Sequence, residues 1–124
     1  MPDMGLYSSA MASRLQPEAE RAARAWARIQ DKKTDIVIIR DGTELPEQSV
    51  RLEYDNAGRI VQTVIGGKSK QGLTVFGVLN HPDSSISDTD VIENDRFIVG
   101  NKEYKIISIL VQLGEIQAYA VDMN

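Results

Sequence analysis

The stretch DTDVIENDRFIVGNKEYKIISILVQLGEIQAYA, residues 88–120, decides the fold. Its apolar residues recur at strand spacing and no helical period runs through it. Turn residues interrupt it at Asn94-Asp95, Gly100-Asn101 and Leu113-Gly114, so it reads as three short strands in a meander. Gly100-Asn101 is the two-residue combination expected of a tight hairpin between Phe97–Val99 and Tyr104–Val111. After Leu113-Gly114 the chain runs on with Ile116, Ala118 and Ala120 alternating against Gln117, Tyr119 and Val121.

The same period extends back to Asp35. Ile36 to Ile39 is a β-branched run closed by Asp41-Gly42, and Val50, Leu52 and Tyr54 alternate with Arg51 and Glu53. Asn56-Ala57-Gly58 is a turn signal, and Ile60 to Ile65 is a further apolar stretch. Gly66, Gly67, Lys68, Ser69, Lys70, Gln71 and Gly72 then carry no sizeable apolar side chain and read as a mobile polar loop. Leu73 to Leu79 resumes as a strand in which Gly77 marks a bulge or a close backbone approach. His81-Pro82 ends it.

Before Lys33 the pattern is helical. The chain is alanine-rich, with Pro17 suited to a first turn, Glu18 and Glu20 near the positive end of the dipole, and Arg28, Lys32 and Lys33 near the negative end. The spacing predicts a helix over about 17–31, with residues 1–16 as an arm that orders only in a complex. Ala19, Ala22, Ala23, Trp26 and Ile29 fall on one face, while Arg21, Arg24 and Arg28 share the opposite one. Such a thin face, methyl groups around one Trp and one Ile, suits close packing on the chain's own barrel or on a neighbouring subunit. The expected architecture is mainly β: a small β-barrel of six or seven strands with one N-terminal α-helix. It divides into an arm and helix over 1–33 and a barrel over 34–124, with a flexible loop at about 55–72.

Composition narrows function. The 124 residues fit one compact domain, and without cysteine neither a disulfide framework nor a thiolate metal site can form. No apolar run is long enough to span a bilayer, so a soluble protein made in the cytoplasm is expected. A net charge of -4 argues against general nucleic-acid binding. That charge is uneven: residues 1–33 hold six Lys/Arg against four Asp/Glu, and residues 34–124 hold eight against fourteen.

Three motifs suggest chemistry and fail on spacing. Gly67-Lys68-Ser69 resembles the end of a phosphate-binding loop, but Gln62 stands where that pattern needs its first glycine, and a strand follows instead of a helix. His81 has Asp83, Ser84 and Ser85 beside it, but neighbours in one turn rarely assemble a nucleophile, base and orienting acid. Asp83, Asp88, Asp90, Glu93 and Asp95 form a dense carboxylate cluster of suitable type for a hard cation. Counted from Asp83, however, the sixth position of a calcium loop is Asp88 and the twelfth is Asn94. Turn-forming side chains account for the same residues, with Arg96 as the expected ion partner. Phe76, Phe97, Tyr104 and Tyr119 are needed for a core rather than as platforms for single-stranded nucleic acid. No catalytic residue, cofactor or metal is assigned.

A resemblance is carried by Thr74-Val75-Phe76-Gly77-Val78, Asn80-His81-Pro82, Asp88-Thr89-Asp90-Val91, Asp95-Arg96-Phe97, Glu103-Tyr104 and Gly114-Glu115-Ile116-Gln117-Ala118-Tyr119-Ala120. Together these words look like the head-to-tail connector proteins of long-tailed bacteriophages, of the stopper or head-closure type. That family often has Gly where this chain has Asn94, and Asn tolerates a left-handed turn. The resemblance implies a structural virion protein of the neck, a homo-oligomeric ring of six- or twelve-fold symmetry. A portal or adaptor protein would lie above it, a tail terminator or tail tube protein below, and double-stranded DNA would pass through its channel. It also implies that Trp26, Ile29, Arg21, Arg24 and Arg28 meet a neighbour, and that the loop from Gly66 to Gly72 lines or gates the channel. The alternative is a soluble β-barrel that binds a protein or peptide outside any virion.

Overall fold

The computed structural model describes the backbone of residues 2–55, 64–65, 68–69 and 71–123, and the side chains of 17–55 and 71–123. It is mainly β, an eight-stranded antiparallel sheet curled into a half-barrel with one helix. The helix, α1, spans Pro2–Asp31. There follow β1 (Lys33–Ile36), β2 (Ile39–Arg40), β3 (Thr43–Glu44), β4 (Gln48–Tyr54), β5 (Val64–Ile65), β6 (Lys68–Ser69), β7 (Gly72–Val78), β8 (Arg96–Val99), β9 (Lys102–Gln112) and β10 (Glu115–Asp122). The sheet order is β1-β4-β7-β10-β9-β8-β2-β3, with β5 and β6 as a separate hairpin.

The meander over residues 88–120 is present as β8, β9 and β10, side by side in that order. Val99 pairs with Lys102 across Gly100-Asn101, and Gln112 pairs with Glu115 across Leu113-Gly114. Asn94 adopts φ 75, the left-handed turn expected of it. Strand β9 extends past its apolar run at both ends, to Lys102 paired with Val99 and to Gln112 paired with Glu115, and a register shift opposite Tyr119 and Ala120 leaves Ile107 as an extra residue within it. The run Ile36 to Ile39 is not one strand. Pairing ends at Ile36 on β4 and restarts at Ile39 on β8, so the chain crosses from one side of the curl to the other at this point. Both Ile36 and Ile38 are buried there.

The interior of the curl holds Ile36, Ile38, Val50, Leu73, Val75, Phe97, Tyr104 and Ile106, closed by Ala118 and Ala120. Phe97 and Tyr104 stack with ring centroids 5.6 Å apart. A second cluster lies outside it, where Ala22, Ala25 and Ile29 of α1 pack on Val78 with Trp26 and Ile86 at the margin.

The helix begins fifteen residues earlier than expected, so Pro17 is internal, and its missing N–H leaves the carbonyl of Ser13 without its helical donor. Its buried stripe is also rotated. Ala25 is buried and Ala23 is exposed, which places Arg21 and Arg28 on the flank of the buried face instead of opposite it. The cause is Gly114. A Cβ there would stand 2.5 Å from the Ala22 nitrogen and 2.7 Å from the Glu18 carbonyl oxygen, so the helix backbone itself rests on the β9–β10 turn.

Gly114 also needs φ 74, whereas Gly42 has a similar φ of 78 with nothing within 4 Å of its Cβ position. Gly42→Ala therefore isolates the left-handed backbone cost, about 1 kcal/mol. Gly114→Ala adds displacement of the helix and is expected to cost about 3 kcal/mol. Urea unfolding of the two variants measures the difference; equal costs would show that the helix does not depend on this contact.

Candidate functional site

The residues proposed from sequence for docking fall into two groups. Ile29 is fully buried within its own chain and Trp26 is half-buried, its ring edge-on to His81 at 6.3 Å. Ile29 is therefore not available to a partner, because the face of α1 formed by Ala22, Ala25 and Ile29 is already covered by the chain's own sheet. Trp26 instead borders a cleft of about 210 Å³ whose other walls include Gln48, Ser49, Ile86 and Asp88. Arg21, Arg24 and Arg28 do stay together. With Pro17, Glu20 and Glu115 they line an open cleft of about 430 Å³ along the flank of α1. Arg28 lies 3.7 Å from Glu115 and over the Phe76 ring at 5.6 Å; Arg24 lies 3.9 Å from Glu20. The exposed Arg24–Glu20 pair contributes little to stability and leaves the guanidinium accessible.

The polar loop is shorter than the sequence suggested. Lys68 and Ser69 pair with Ile65 and Val64, and Gly72 begins β7, with Gln71 tied to the sheet just before it. The Gln71 carbonyl accepts the Asp122 N–H at 3.0 Å, and Gly72 pairs with Val121. Gly72 is a close-approach position: a Cβ would collide with the Tyr119 hydroxyl and lie 2.7 Å from Asp55 Oδ2. The expectations for Gly66, Gly67 and Lys70, and for Ile60 to Gln62, lie outside the described residues.

The carboxylate cluster has structural duties. Arg40 donates from Nε to Asp95 Oδ1 at 3.0 Å and from Nη2 to Asp95 Oδ2 at 2.9 Å, and Nη2 also reaches Asp90 Oδ1 at 2.9 Å. Asp95 is almost wholly buried and also accepts the Ile92 N–H at 2.8 Å. The hydrogen bonds to Asp95, then to Asp90, raise the Arg40 guanidinium further above its already high value. The partner is thus Arg40, not Arg96, which pairs with Glu103 at 3.4 Å. Sequence reasoning missed Arg40 because fifty-five residues separate it from Asp95.

Asp88 accepts the Asn80 N–H at 2.7 Å, and Asp83 accepts from the Ser85 hydroxyl and N–H. Those Ser85 bonds hold the Asp83 carboxyl below the usual range. Among the described residues no group of carboxylates, His or Cys is arranged to hold a metal ion. His81 accepts the Asp83 N–H through Nδ1 at 2.9 Å, a local turn bond that occupies the nitrogen a triad would need. Gln48, also missed, ties β4 to the segment before β8: its amide donates to the Asp90 carbonyl at 2.9 Å and accepts the Asp90 N–H at 2.7 Å. Gly77 allows the same segment to close on β7, since a Cβ would lie 2.5 Å from Thr89 Oγ1, which accepts the Val78 N–H at 2.9 Å.

Compared with protein-family models, with curated proteins and with solved structures, the chain matches none.

Two outcomes test this geometry. Arg40→Met leaves Asp95 buried without its cation and is expected to cost about 3 kcal/mol in chemical unfolding; a loss like that of an exposed pair such as Arg24→Met would contradict the buried lock. Tyr119 donates to Asp55 at 2.7 Å, and burial followed by this bond pushes its phenol up to about 12. Since an unperturbed tyrosine ionises near pH 10, the stability it contributes is complete below about pH 10 and is lost as pH rises towards 12. Absorbance titration is expected to show a late phenol that Tyr119→Phe removes; an unchanged curve would place the late group elsewhere.

Proposed function

We propose that the chain is a structural protein of the neck of a long-tailed phage, of the stopper or head-closure type. Copies form a six- or twelve-fold ring below the portal or adaptor, close the DNA-filled head and present the surface to which the tail attaches. The observation that carries this reading is where the resembling words fall. Gly77, Thr89, Asp95 and Gly114 all belong to them, and these are close-packed or buried positions of the fold. The likeness therefore includes residues that the architecture needs, alongside exposed ones such as Asn80, Pro82, Asp88 and Asp90.

Other features fit the same role. An acidic body keeps passing DNA from adhering to a channel wall, because like charges repel. The Arg21, Arg24 and Arg28 cleft supplies a basic patch for an acidic surface on the ring above. The hairpin of β5 and β6, which lies between β4 and β7 in sequence, would in this scheme meet the channel or a neighbouring copy. DNA is a passing cargo in this scheme and is not read.

Complementation tests the proposal. Heads assembled without this protein are mixed with tails and with the purified chain, and tailed particles are counted by electron microscopy. Joining that depends on the added protein, with a ring visible at the portal vertex, is expected. Filled heads that hold their DNA and join tails equally well without it would remove the reading.

A further inference from the structure

Strand β9 has eleven residues, but β8 pairs only with Lys102–Lys105. Two bonds extend the cover by one residue: the Asn94 N–H to the Ile106 carbonyl, and the Ile106 N–H to the Asp95 carbonyl, both 2.8 Å. Beyond Ile106 one side of β9 stays paired with β10 as far as Gln112, and no described strand lies on the other. Among the described residues, 107–112 (ISILVQ) thus form an open sheet edge. Gln112 and Glu115 flank a two-residue turn and so form a hydrogen-bonded pair. Alternation from there turns the backbone groups of Leu110 and Ser108 towards β10 and those of Ile109 and Val111 towards the open side.

Sheet edges are ordinarily blunted by lysine, proline or covering elements. Residues 107–112 contain no charged residue and no proline. Their tip is apolar and exposed: Leu110 by 53%, Val111 by 62% and the adjoining Leu113 by 52%. An uncharged, β-branched edge of this length is a template for another strand.

We infer that in the free protein this edge pairs with the same edge of a second copy, antiparallel about a two-fold axis. The other terminal strands do not match it. β3 has two residues and includes Glu44, while β1 has four, carries Lys33 and Asp35, and lies near β8 across the mouth of the curl. Among the described residues only a copy of 107–112 equals this edge in length and neutrality. Two chains of net charge -4 also repel least where neither carries charge. A two-fold contact of this kind is self-complementary and covers Leu110 and Val111 of both copies at once. The inference does not rest on the neck reading, and its failure would leave that reading untouched.

Sedimentation equilibrium of the full chain tests it. Val111→Pro removes an N–H from the open side while leaving the ladder to β10, and the double substitution L110K/V111K sets lysines of two copies against each other. The wild type is expected to dimerise reversibly, and both variants to sediment as monomers with native circular dichroism. Since the chain has no cysteine, Leu110→Cys supplies its only thiol and is expected to form a disulfide-linked dimer under mild oxidation. Ile98→Cys, exposed on β8, is not. A wild type that is monomeric at every concentration, association that both variants retain, or equal cross-linking at Ile98 and Leu110 would overturn the inference.

Discussion

The fold depends on a contact between two backbones. Gly114, in the turn between β9 and β10, meets the helix at Glu18, Arg21 and Ala22 with no side chain between them. Its carbonyl also accepts the Leu79 N–H at 3.0 Å, so one residue joins the helix, the end of β7 and the β9–β10 hairpin. Close approach explains why an alanine stripe serves as a helix core here. Ala22 and Ala25 are small enough for the helix to settle on the sheet, and Ile29 fills the space that remains. It also explains why Arg28 reaches Glu115 and Phe76: rotation of the helix towards Gly114 carries that flank over the sheet.

A second tie holds the other end of the curl. The long segment from Leu79 to Asp95 contains no strand, yet it is fixed at successive points by Thr89 on Val78, Gln48 on Asp90 and Arg40 on Asp95. Removing a buried charged pair's partner is costly, while the intact pair has mainly a specifying value. Arg40 and Asp95 here specify where β2 crosses to β8, the step that gives the sheet its curl. Dense carboxylates thus serve topology, and the polar chemistry of the chain is largely consumed in connecting its own elements.

Much of this was legible from residues 88–120. Alternation and paired turn residues read correctly because each depends on neighbours within a few positions. Gly77 was legible as a close approach on similarly local grounds, since a glycine interrupting a strand marks a bulge or a neighbour too near for a side chain. What failed depended on contacts distant in sequence. No local rule shows that Gly114 receives a helix more than ninety residues away, so the alanine spacing alone centres the buried stripe towards Ala23 and sets the arginines opposite it. For Ile29 the sequence leaves both covers open, because an apolar helix face looks the same whether its own sheet or another subunit covers it, and the structure shows its own sheet. In the sequence the Gly66–Gly72 segment looks wholly like loop because Gly72, which must be small to sit beneath Tyr119, carries the same letter as a turn glycine.

Whether helix and sheet are one cooperative unit is best answered by native-state hydrogen exchange. If the backbone seat at Gly114 governs the fold, the amides of Ala25 and Ile29 exchange with the same opening free energy as those of Val75 in β7 and Ala118 in β10, and all equal global unfolding. Helix amides that exchange through a separate, lower-energy opening while the sheet stays protected would contradict the account.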